Sequence, residues 1–254
     1  MMFGRRYFLD PDVEAFHVKC WGWLLRNRGA DDFGKSPLVL PTADFFPSTD
    51  AQGHARATHI FNQVRKITGM EDWPVSLVPQ AERAGRVASV GNVQHTGAAA
   101  GTFSHSGNSG KVTYDPALIK KPVALIAVLA HELGHYICEN IQEDPPGGWD
   151  LLEPATDVTA CYLGFGVFSA NAAFDLTNHT DFHSQGWQSN KLGYLTEAEW
   201  SFNIALFCAL RGIDHSLAKP HLKAHLFNEV KKAAAYAAKH DLATAIRTDA
   251  ARRS

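Results

Sequence analysis

His131, Glu132 and His135 stand in the run Ala130-His131-Glu132-Leu133-Gly134-His135-Tyr136, an HExxH pattern. At about 3.6 residues per turn, two histidines four apart lie one above the other on a helix, and both imidazoles can reach a single ion. Glu132 is rotated about a quarter-turn from His131, close enough to address a water in the ion's open position without ligating the ion. Chance alone gives HExxH in roughly one such sequence in forty, so a second element is required. Catalytic zinc takes three protein ligands and keeps one position open. Glu153 is the candidate third ligand, 18 residues after His135 in Leu151-Leu152-Glu153-Pro154-Ala155-Thr156-Asp157-Val158. A helix end, a turn at Pro145-Pro146-Gly147-Gly148 and a returning helix fit that interval. Asp157 stands one turn beyond Glu153, where it can accept a hydrogen bond from the distal nitrogen of a ligating histidine and fix its tautomer. By itself the Glu153/Asp157 pair also reads as the acidic first turn of an ordinary helix.

Together the two motifs resemble the gluzincins, the thermolysin-like zinc metallopeptidases that carry HExxH on one helix and a downstream Glu on the next. His131-Glu132-Leu133-Gly134-His135 matches the first motif in full, and Glu153-Pro154-Ala155-Thr156-Asp157 matches the ExxxD of the second. The resemblance covers about 45 residues, 122–168, and not the rest of the chain. It implies one zinc ion per chain, held by His131, His135 and Glu153, with Glu132 as general base. It also implies that a strand upstream of the HExxH helix forms a sheet edge against which an extended peptide substrate pairs. Residues 98–104, or their hairpin partner up to Tyr114, are the place expected for it. An oxyanion donor is still needed, and His179, His183, Tyr194 and His215 are the candidates. The other histidines (His17, His54, His59, His95, His105, His221, His225 and His240) read as ordinary.

The elements that must position these groups follow from the rest of the chain. With 254 residues, 45% hydrophobic and 20% charged, it is long enough to bury one substantial core without staples. Lys and Arg (24) nearly balance Asp and Glu (26), which leaves no electrostatic footprint for nucleic acid or anionic lipid. The longest apolar run is too short to span a bilayer, and Asp10 and Asp12 follow the N-terminus too soon for a signal peptide. Four scattered cysteines without a CxxC pair fit a reduced, cytoplasmic setting.

The expected fold is α+β and mostly helical, one zincin-like domain over residues 1–254 with a small, largely antiparallel sheet before the HExxH helix. Residues 1–74 read as helical, with helices over 10–29 and 51–68 and an extended, Pro-bounded stretch at Leu38-Val39-Leu40. Residues 75–118 hold the sheet, with β-type runs at 75–78, 86–90 and 111–114. Residues 98–110 form the turn-rich linker between strands. That Gly-rich stretch is not a phosphate loop, because Val112 follows Gly110-Lys111 where Ser or Thr is required. Residues 119–240 carry the site, on helices over 122–143, 151–168, 196–210 and 222–240, and 241–254 read as a frayed tail. The leading functional reading is a metallopeptidase acting on peptides or proteins. The alternative is a zincin-fold metal protein that binds a peptide or partner without cutting it. A small-molecule enzyme using the same triad with iron is a third.

Overall fold

Asp10 opens the first helix, α1 (Pro11–Arg28), by accepting a hydrogen bond from the Asp12 N–H, with Pro11 at the first helical position and Asp12 and Glu14 in the first turn. The structure is a computed structural model that describes residues 7–81, 100–106, 109–177 and 195–251. A single turn, α2 (Ala30–Phe33), follows, then α3 (Gly53–Ile67), which buries Ala57, Ile60, Phe61 and Val64 along one face. Strands β1 (Val75–Pro79), β2 (Gly101–Ser106) and β3 (Ser109–Tyr114) make a sheet of order β1-β3-β2. Beyond it run α4 (Pro122–Asn140), α5 (Leu152–Tyr162), α6 (Gly166–Thr177), α7 (Glu197–Arg211), α8 (Ala224–Lys239) and α9 (Leu242–Ala251). The fold is α+β and mostly helical, as the sequence predicts. Among the described residues no helix is long and apolar enough to cross a membrane.

The sheet differs from expectation in two ways. It is mixed: β3 pairs antiparallel with β2, Gly101 opposite Tyr114, but parallel with β1, Val75 opposite Gly110. A parallel pair needs a long crossover, and the chain between Pro79 and Ser109 supplies the length. Residues 101–106, which read both as part of a turn-rich linker over 98–110 and, to 104, as a sheet edge, form a strand and not a linker. Two of its side chains find partners on α4: Phe103 stacks on Tyr136 with ring centroids 4.9 Å apart, and the exposed His105 has its Nε2 2.8 Å from Glu139 Oε2. Such packing across elements outweighs local turn preference. The run at 86–90, residues 98 and 99, and His95 lie outside the described residues.

The helical half carries two further corrections. The stretch expected as one helix over 151–168 is two, α5 and α6, broken at Gly164. That residue has φ 94°, and a side chain there would run into the Pro37 carbonyl oxygen. The break lets the Val39 N–H donate to the Gly164 carbonyl at 3.0 Å, which fastens the buried extended stretch 38–40. The tail expected to fray is mostly α9, whose Leu242 and Ile246 are buried and which lies along α1.

α4 is the central element, packed on α3, α5, α6, β2 and β3. The largest core aromatics gather between α1, α2, α5 and α7, where Phe33 stacks on Tyr162 at 4.8 Å and meets Phe207 edge-on at 5.5 Å. His17 is wholly buried there, between Glu199 Oε1 and the Asn203 amide, each at 3.1 Å, while Asn203 Oδ1 accepts from Trp21 Nε1 at 2.9 Å. This histidine belongs to the core.

Candidate metal centre

α4 and α5 approach closely because Gly134 faces Thr156. A Cβ at Gly134 would stand 3.0 Å from Thr156 Cγ2 and 3.1 Å from its carbonyl oxygen. That approach brings Glu153, in the first turn of α5, to the histidines of α4. His131 Nε2 and His135 Nε2 lie 3.1 Å apart, and Glu153 Oε2 lies 3.3 Å from the first and 3.4 Å from the second. Around a tetrahedral ion with bonds of about 2.0–2.1 Å, neighbouring ligand atoms stand about 3.3–3.4 Å apart. The three side chains therefore fit zinc without rearrangement, and two nitrogens with one carboxylate oxygen is a donor set that zinc accepts.

Both imidazoles are held from behind. His131 Nδ1 is 2.8 Å from Asp157 Oδ1, the partner expected from sequence, and Asp157 Oδ2 accepts from the Leu195 N–H at 3.1 Å. His135 Nδ1 faces the buried hydroxyl of Thr156 at 3.4 Å. Burial disfavours a charge on His131, but the hydrogen bonds to Asp157 and Glu153 prevail, so its ring is pushed up to about 10. Hydrogen bonds from His131 and His135 hold the Glu153 carboxyl well below the usual range against a smaller opposing effect of burial. Glu132 behaves differently: burial raises its carboxyl, and the pull of the two histidines only partly offsets that.

Glu132 is also confined. A Cβ at Gly101 on β2 would lie 2.9 Å from Glu132 Oε1 and 2.6 Å from Val128 Cγ1. The bare backbone of Gly101 thus leaves the slot in which this carboxylate stands. Among the described residues β2 is one of the two edges of the sheet, whereas its hairpin partner β3 is internal, so of the two stretches expected as edge only the first fits. Residues 100–103 border a cavity of about 410 Å³ that also takes in His131, Glu132, His135, Glu153 and Asp157. Its deeper wall is apolar, with Ala127 and Val128 from α4, Ala172 and Ala173 from α6 and Trp200 from α7.

His131, Glu132, His135, Glu153 and Asp157 are thus brought together. His215 is not among them: it lies in a 3₁₀ turn, 3.8 Å from Asp214 Oδ1 and stacked on Phe227. His179, His183 and Tyr194 lie outside the described residues. Sequence reasoning misses Thr156, Trp200 and the part Gly101 plays beside Glu132. Only Thr156, next to Asp157 in the ExxxD motif, carried a local signal.

Compared with protein-family models, with curated proteins and with solved structures, the chain finds no match.

Proposed function

We propose that this chain is a zinc-dependent metallopeptidase, with His131, His135 and Glu153 as the zinc ligands and Glu132 as the general base. The observation that carries the reading is the triangle of ligand atoms at tetrahedral spacing, set in a cavity that also holds a fourth group outside the triangle, the Glu132 carboxylate. A zinc ion there supplies Lewis acidity, polarising a carbonyl and making water a nucleophile near neutral pH. The residues do the rest. The outward N–H and C=O groups of β2 offer an extended peptide an edge to pair with, and the apolar wall of Ala127, Ala172, Ala173 and Trp200 accepts an apolar side chain. Glu132 takes a proton from water as its oxygen attacks the scissile carbonyl carbon, then passes it to the leaving amine as the C–N bond breaks. Its raised carboxyl suits both halves of that exchange. Four cysteines, all free and buried, support a reducing cytoplasmic setting.

The test is Glu132→Gln in the full chain, read by elemental analysis and by mass spectrometry of a mixed peptide library. The expected variant is folded, holds one zinc and turns over about 10²–10⁴-fold more slowly than the parent. A parent that binds zinc and cleaves nothing would favour the non-catalytic binding module. Iron in place of zinc in the purified protein would favour small-molecule chemistry.

A further inference from the structure

We infer that Thr156 sets the tautomer of His135, and that Cys138 and Thr159 hold Thr156 in that role; the inference rests on the metal-centre reading above. A histidine that ligates through Nε2 carries its hydrogen on Nδ1, and that hydrogen needs an acceptor. For His131 the acceptor is the Asp157 carboxylate. At His135 Nδ1 the neighbour is a neutral hydroxyl, Thr156 Oγ1 at 3.4 Å.

Thr156 is fully buried, so its own hydroxyl hydrogen must be satisfied inside the protein. The partner is Cys138 Sγ at 3.9 Å, a distance suited to sulfur. Cys138 Sγ in turn lies 3.3 Å from Thr159 Oγ1, and the Thr159 hydroxyl donates to the Ala155 carbonyl at 2.8 Å. Each hydroxyl and thiol has a single hydrogen to give, and a carbonyl only accepts. Followed inward from Ala155, every hydrogen therefore points away from the ring: Thr159 to Ala155, Cys138 to Thr159, Thr156 to Cys138. Thr156 Oγ1 is left with a lone pair for the His135 Nδ1–H. The chain crosses between α4 and α5 where Gly134 permits their close approach. Thr156 is a positioning residue, acting on the ion only through His135.

Thr156→Val keeps the shape and removes the acceptor; Thr156→Ser restores it. In the full chain, zinc affinity measured by chelator competition should fall about 10–100-fold for the valine variant and return close to the parent for serine. In the zinc-loaded protein, the His135 Nδ1–H proton should give a slowly exchanging downfield resonance in the parent and in Thr156→Ser. In Thr156→Val it should be lost to exchange. A valine variant with parental affinity and an unchanged resonance would overturn the inference and leave the metal centre standing. Should that variant not fold, Cys138→Ala tests the chain one link further out, where unchanged affinity and exchange would overturn it equally. A parent that binds no zinc removes both readings.

Discussion

Glu132 has little freedom. Its carboxylate stands against the backbone of Gly101, and the tip of a side chain yields more readily than the Thr113 carbonyl oxygen, 2.9 Å from the same point. Gly101→Ala should thus displace the base while leaving His131, His135 and Glu153 in place. The expected result is full zinc content, little change in KM and a kcat lower by about 10²-fold, the usual cost of a misplaced catalytic group. An unchanged kcat would show that Glu132 works from elsewhere. The ligands were legible in the sequence because helical geometry links residues 131 and 135 directly, and a helical return needs only a turn between. Gly101 was not legible as a slot, because its neighbours come from another strand and from α4. Thr156 escaped for a related reason: a threonine inside a helix has many harmless uses.

Elements join through polar contacts as well as apolar ones. The α1–α7 junction turns on Glu199, which Thr196 also engages in a capping box at the start of α7. Burial raises the Glu199 carboxyl, but hydrogen bonds to His17 and Thr196 outweigh it, so the net shift is downward. A carboxyl lowered by folding contributes its full stability above the unfolded value of about 4.3 and loses it as pH falls through the folded value. Denaturant midpoints should therefore drop from about pH 5 downward. In Glu199→Gln that acid-side drop should shrink, with a cost at neutral pH of about 1–3 kcal/mol; an identical pH profile would remove Glu199 from the account. The break between α5 and α6 lies at the same scale. Residues 151–168 read as a single helix because their apolar positions run on without interruption, and what stops them is Pro37, far off in sequence. Gly164→Ala combines an unfavourable φ with that collision and should cost about 2–4 kcal/mol in equilibrium unfolding.

At the scale of the molecule, the fold class and the site helices were legible, and the C-terminal closure was not. Leu242 and Ile246 are a thin apolar stripe among alanines and polar residues, and they become core only because α9 packs on α1, α7 and α8. Ile246→Ala should lower stability by about 2–4 kcal/mol, measured by denaturant titration; a frayed tail would give no change. α1 itself is covered almost wholly by late parts of the chain. Trp23 donates to the Glu143 carbonyl, Trp21 to Asn203, Arg26 pairs with Glu143, and Gly22 is closed over by Asp249. Synthesis, however, runs in one direction. At about 5–20 residues per second, a ribosome needs roughly ten to forty-five seconds to go from Arg28 to Asp249. Glu143, Asn203 and Asp249 emerge one after another in that interval, so the tryptophan-bearing face of the first helix, which at first can meet only Phe33 of α2, is covered in steps and closed last at Gly22.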